Sequence, residues 1–95
     1  PRIFVNLAIE LSDQAPALAG EVNEGFTRLK GMIRRLLDEE KRAGGIPAST
    51  DTGAVTELVF AGLLGACVMY TSDKSRKGLD STIASLISYI DTHIS

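Results

Sequence analysis

The chain has 95 residues, 44% of them hydrophobic and 23% charged, which bounds it to one globular domain with a modest core and excludes a disordered chain. A net charge of -2 and a pI near 5.3 supply no basic field for holding phosphates, so these residues are not expected to bind nucleic acid by themselves. The single cysteine, Cys67, excludes an intrachain disulfide and points to a reducing, cytoplasmic setting.

Ile3, Phe4, Leu7, Ala8 and Leu11 set one apolar stripe on a short first helix, expected from about Arg2 to Ser12. Ser12-Asp13-Gln14-Ala15-Pro16 is expected to break it, with Pro16 suited to the first turn of the next element. A long second helix follows, with Val22, Phe26, Leu29, Ile33, Leu36 and Leu37 at steps of three and four. Its other faces are charged, and Arg34 to Asp38 and Arg35 to Glu39 are spaced for weak pairing. Ala43-Gly44-Gly45-Ile46-Pro47 ends it, glycine being able to take the left-handed conformation of a C-terminal cap.

Ser49, Thr50 and Asp51 are each able to cap a third helix, which carries the run LVFAGLLGACVMY from Leu58 to Tyr70 and closes at Thr71-Ser72-Asp73. A helix that is apolar all round must be covered on every side, by its own domain, by a second copy or by lipid. Lipid is the weakest of the three, because the segment barely reaches the roughly 20 residues that span a bilayer and Glu57 sits inside it. Nor does the opening Pro-Arg-Ile-Phe have the form of a signal peptide; lacking Met, it reads as part of a longer or processed chain. After a charged turn, Lys74-Ser75-Arg76-Lys77, a fourth helix repeats Leu79, Ile83, Leu86, Ile87, Ile90 and Ile94 on one stripe. No alternating strand pattern occurs, and the fold class is all-α with four helices in a single domain over residues 1–95.

Catalytic and metal chemistry find no constellation. The only thiol, Cys67, lies in the apolar run and reads as a small buried hydrophobe, and the only imidazole, His93, reads as a C-terminal-turn residue favourable to the helix dipole. There is no CxxC, HxxxH or HExxH, and Gly44-Gly45 precedes Ile-Pro without a lysine, so neither a metal site nor a phosphate loop is expected. The chain is expected to be no enzyme and to need no cofactor.

Small residues carry more information. Ala61 and Gly65 lie four apart, as do Gly62 and Ala66, so another helix can approach closely along either strip. Ordinary packing within the chain and a dimer seam both remain open. Three further helices with one stripe each cannot easily enclose a fully apolar one, and a symmetric partner is the commonest way to supply the cover.

In their order, these features resemble the C-terminal regulatory domain of TetR-family (tetracycline-repressor-like) transcriptional regulators. The likeness rests on the Ala-Gly-Gly-Ile-Pro break, the Asp51-Thr52 start, the LVFAGLLGACVMY helix with its central Gly65, the Ser-Asp-Lys-Ser turn and the closing LDSTIASLISYI helix, and it spans essentially the whole chain. It implies that the last two helices pair with their twins as an intersubunit four-helix bundle, and that earlier helices help enclose an apolar effector pocket. It also implies a helix-turn-helix domain before these residues, which themselves carry none; the chain alone is then expected neither to bind operator DNA nor to hold a complete cavity.

At about 100° per residue, Phe60, Leu64 and Cys67 share one face of the third helix, while Val59, Gly62, Ala66 and Tyr70 lie roughly opposite. The first set is assigned to the interior or ligand side with Phe26, Leu29 and Ile33. The second is assigned to the dimer side with Leu79, Ile83, Leu86 and Ile90. Packed core and ligand contact remain alternatives for the first set, because apolar pockets and apolar cores use the same residues. The functional expectation is a ligand-responsive dimerisation domain of a bacterial transcriptional repressor, with a homodimer and a small apolar effector as partners, DNA reached only through the preceding domain, and no membrane. A stand-alone helical adaptor and a small hydrophobe-binding protein are the alternatives.

Overall fold

A computed structural model describes residues 2–18 and 23–94. Four helices account for most of them: α1 (Arg2–Leu18), α2 (Asn23–Ala43), α3 (Thr52–Asp73) and α4 (Arg76–Ile94). They form a ring in which α1 packs on α4, α4 on α3 and α3 on α2, with α2 returning to α1 and α1 also touching α3. The core is drawn from all four, with Phe4, Leu7, Leu11, Ile33, Leu37, Val59, Leu63 and Ile83 fully enclosed. Val22, expected on the α2 stripe, lies outside the described residues.

The expected break at Ser12 to Pro16 does not occur: α1 runs through Pro16 to Leu18. Burial of Leu11, Ala15 and Leu18 in the core favours continuing the helix. Proline has no N–H, so the Ser12 carbonyl loses its intrahelical donor four residues on. A guanidinium replaces it, Arg76 Nη2 donating to Ser12 O at 2.8 Å while Arg76 Nε pairs with Asp80 Oδ1 at 3.1 Å. One turn further, Cys67 Sγ lies 3.7 Å from the Ala15 carbonyl. The polar needs of a proline-interrupted helix are thus met from α3 and α4.

The other boundaries follow local chemistry. Gly44 takes φ +84°, and Gly45 N donates to Glu40 O at 2.9 Å and Gly44 N to Lys41 O at 3.3 Å, the paired closure of a Schellman cap. Beyond it Ile46, only 2% exposed, plugs the connection into the core, which its place in a polar break did not announce. Of the three candidate caps for α3, Asp51 is used: its Oδ1 accepts from Ala54 N at 3.0 Å. α3 ends at Lys74, which adopts φ 57°, its N–H donating to Tyr70 O at 2.8 Å. The turn is shorter than expected, because Ser75 already caps α4 by accepting from Gly78 N at 2.9 Å through Oγ.

A polar contact fixes the start of α3 against α2. Thr52 Oγ1 donates to Asp38 Oδ1 at 2.5 Å, and Arg34 Nε lies 3.5 Å from Asp38 Oδ2. The Thr52 hydroxyl beside it, aided by Arg34, holds the Asp38 carboxyl below its ordinary value of 3.8. Among the described residues Arg35 and Glu39, also spaced for pairing, make no such ion pair.

Candidate functional site

α3 is the one described helix long and apolar enough to cross a membrane by length and composition, yet it packs against α1, α2 and α4. Its own chain buries about a third of that apolar window (33%). The buried stripe is Thr52, Thr56, Val59, Leu63, Ala66 and Cys67, at steps of three, four and one. Its two threonines satisfy their hydroxyls, Thr52 on Asp38 of α2 and Thr56 within the helix on the Thr52 carbonyl at 2.7 Å.

This stripe overturns the expected division of the helix. Val59, Ala66, Leu79, Ile83 and Ile90, assigned to a dimer seam, are at most 3% exposed within a single chain. A side chain enclosed by its own subunit has no surface left for a partner. Gly62 is likewise committed inside the chain, because a Cβ placed on it would stand 2.4 Å from Leu86 Cδ2. Leu86 and Tyr70 are half-buried on the same α3–α4 seam, and Ala66, Tyr70 and Leu79 line a cavity of about 70 Å³ there. The Gly62–Ala66 strip therefore serves α4 of the same chain.

Left uncovered is the other strip. Leu58, Val68 and Met69 are 51%, 68% and 57% exposed, and Ala61 and Gly65 lie exposed between them, with nothing within 4 Å of a Cβ placed on Gly65. On α4, Ser81, Ala84, Ser85, Ser88 and Tyr89 are exposed as well. The Tyr89 ring stacks on His93 with centroids 4.2 Å apart, and His93 Nδ1 donates to the Tyr89 carbonyl at 3.0 Å. Three large apolar side chains spread over about three turns, roughly 15 Å, with an exposed alanine and glycine on the turns between them, form a patch of the kind that marks an interaction surface.

Such a phase was hidden because a helix apolar on all sides gives periodicity nothing to follow. Glu57 was the available signal. It is the one charge within the helix body, it is exposed and it pairs with Lys30 of α2; Val59 and Ala66 lie roughly opposite it at about 100° per residue, and both are buried.

Of the six residues expected on the ligand side, Phe26 of α2 and Phe60 of α3 meet directly, and three others enter the common core, Cys67 among them facing the Ala15 carbonyl of α1. Leu29, Ile33 and Cys67 are buried in the core, while Phe26, Phe60 and Leu64 are half-buried. The rings of Phe26 and Phe60 meet edge to face at 6.0 Å, and Lys30 Nζ sits 5.4 Å above Phe60. Burial raises the Cys67 thiol above its ordinary value, which keeps it protonated and unreactive. Among the described residues no group of three or more His, Cys, Asp or Glu is placed to hold a metal ion.

No curated protein and no solved structure matches the chain. A family match covers residues 3–86, thus α1, α2, α3 and more than half of α4, and the four-helix architecture agrees with it. The chain belongs to the tetracyclin repressor-like C-terminal domain family, the ligand-binding and dimerisation part of regulators in general.

Proposed function

We infer that this chain is the ligand-responsive dimerisation domain of a cytoplasmic transcriptional repressor. In this reading two copies meet through the exposed strip of α3, Leu58, Ala61, Gly65, Val68 and Met69, flanked by Ser85 and Tyr89 of α4. The observation that supports it is the uncovered apolar strip, which in water favours association. Ala61 and Gly65 at its centre allow two α3 helices to approach closely about a two-fold axis.

The effector is a small apolar molecule that binds one arrangement of the helices better than another, beginning at the half-buried Phe26, Phe60 and Leu64 and rearranging the buried Leu29, Ile33 and Cys67. DNA contact belongs to a separate helix-turn-helix domain. The dimer transmits the rearrangement by changing the spacing of two recognition helices, which must match one turn of DNA, roughly 34 Å.

Light scattering tests the association directly. The wild-type chain is expected to run as a dimer, and Val68→Glu, which buries a charge at the pairing surface, as a monomer with its helix content retained. A wild-type chain that stays monomeric at high concentration overturns the dimer and leaves the strip to a heterologous helix, as in the adaptor reading. A Val68→Glu dimer as tight as wild type places the pairing elsewhere.

A further inference from the structure

Beyond Ser12, α1 is attached to the rest of the molecule differently from its first half. That first half sets Phe4, Leu7 and Leu11 into the buried core, whereas residues 13–18 put in only Ala15 and Leu18. An alanine and one leucine remove much less apolar surface from water than a phenylalanine and two leucines, so the second half is the more weakly held. Pro16 lies within it and has no N–H, so the backbone bond back to Ser12 is missing at the kind of position where helices bend.

Side chains of other helices supply the attachment. Arg76 Nη2 donates to the Ser12 carbonyl at 2.8 Å, and Cys67 Sγ of α3 lies 3.7 Å from the Ala15 carbonyl. The first bond is charge-assisted and the second a weak thiol contact, which makes Arg76 the principal fastener. Arg76 is the exposed first residue of α4, where a cation opposes the helix dipole. Its Nε contact with Asp80 Oδ1 at 3.1 Å offsets that charge and fixes the guanidinium toward α1. Cys67, 3% exposed, lies against the segment that this guanidinium holds down.

We propose that residues 13–18 form a strap, hinged at Pro16 and latched by Arg76, that lifts from α3 as a unit when the latch is released while the other helices stay packed. With the latch closed, lifting is no more frequent than unfolding of the whole chain. With it released, the strap becomes the least stable part of the fold and Cys67 is uncovered first. The two fasteners sit on α3 and α4, so a displacement of Arg76 relative to Ser12 is the event that frees the strap. The device belongs to the single chain and does not rest on the dimer reading.

The test compares the rate at which a thiol-specific disulfide reagent labels Cys67 under native conditions with the rate of global unfolding, followed by circular dichroism, for the same chain. In the wild type the two rates are expected to coincide. In Arg76→Met, labelling is expected to outrun that variant's own unfolding by about fivefold or more, with helix content retained. Adding Pro16→Ala, which returns the backbone donor, is expected to bring the two rates together again, and Lys77→Met, exposed on the same turn, is expected to behave as wild type. Hydrogen exchange in Arg76→Met is expected to quicken at Ala15, Ala17 and Leu18 and to stay unchanged at Leu7, Ile33 and Ile83. Labelling of Arg76→Met at no more than its unfolding rate overturns the proposal, as does an equal rise in exchange over all four helices. Failure of Pro16→Ala to restore the wild-type behaviour rejects the hinge. Loss of helix content throughout Arg76→Met also overturns the proposal, since it would make Arg76 a support of the whole fold rather than the latch of one segment.

Discussion

Gly62 and Leu86 are in such close register that a Cβ on the glycine would lie 2.4 Å from Leu86 Cδ2 and 3.0 Å from Cδ1. That contact ties α3 to α4 within one subunit and turns the Gly62–Ala66 strip inward. Gly62→Leu is therefore expected to destabilise the subunit itself, by about 1–3 kcal/mol through overpacking. Urea denaturation checks it, and adding Leu86→Ala is expected to restore part of the loss. Gly65→Leu, with open space around the added side chain in one subunit, is expected to leave the fold of that subunit intact.

The Arg76–Ser12 contact gives a second prediction. Arg76→Met is expected to cost about 1 kcal/mol, because it leaves the Ser12 carbonyl without a protein donor. In a Pro16→Ala background the backbone N–H returns, and the same substitution is expected to cost little. A double-mutant cycle measures the coupling, and additive losses would show that the guanidinium does not stand in for the missing amide.

Lys74 holds a left-handed backbone conformation, φ 57°, that costs a side-chain-bearing residue energy and glycine almost none. Lys74→Gly is expected to stabilise the chain by about 0.5–1 kcal/mol in thermal or denaturant unfolding. The gain is net of losing the Lys74 ammonium 6.0 Å from the Tyr70 ring.

Asp38 makes stability depend on acid. Its carboxyl is held below 3.8 in the folded chain, first by the Thr52 hydroxyl and then by Arg34, so the folded state favours the ionised form. The contribution is complete above the unfolded value and is lost as pH falls through the lower folded one. Thr52→Val is expected to flatten the pH dependence of the unfolding midpoint below about pH 4, where carboxylates titrate, relative to wild type.

Cys67 is expected to react with a thiol-specific disulfide reagent only as the chain unfolds, since its Sγ is buried against the Ala15 carbonyl and its thiol is pushed up by burial. Rapid labelling under native conditions would place the C-terminal end of α1 away from α3.

Much of the fold was legible because one-sided helices announce themselves. Leu29, Ile33 and Leu37 on α2, and Leu79, Ile83, Ile87 and Ile90 on α4, occur at helical spacing and are the residues that become buried. Gly44 and Asp51 were legible for a local reason, as each terminates a helix by its own backbone freedom or side-chain oxygen. Pro16 was misread because the donor that compensates it, Arg76, is 64 positions from Ser12 and invisible to any local rule.

The sequence by itself determined four helices, the glycine end of α2 and the capped start of α3, and the presence of one segment with more apolar surface than a single stripe needs. Which side of that segment faces inward was decided only by the tertiary structure. Val59 and Met69 are equally apolar, yet one is enclosed and the other more than half exposed, because helix packing selects a face by the shapes of its neighbours, here Leu86 closing over Gly62. Hydrophobicity sets how much surface must be covered, and steric fit across distant residues sets which surface is left for a partner.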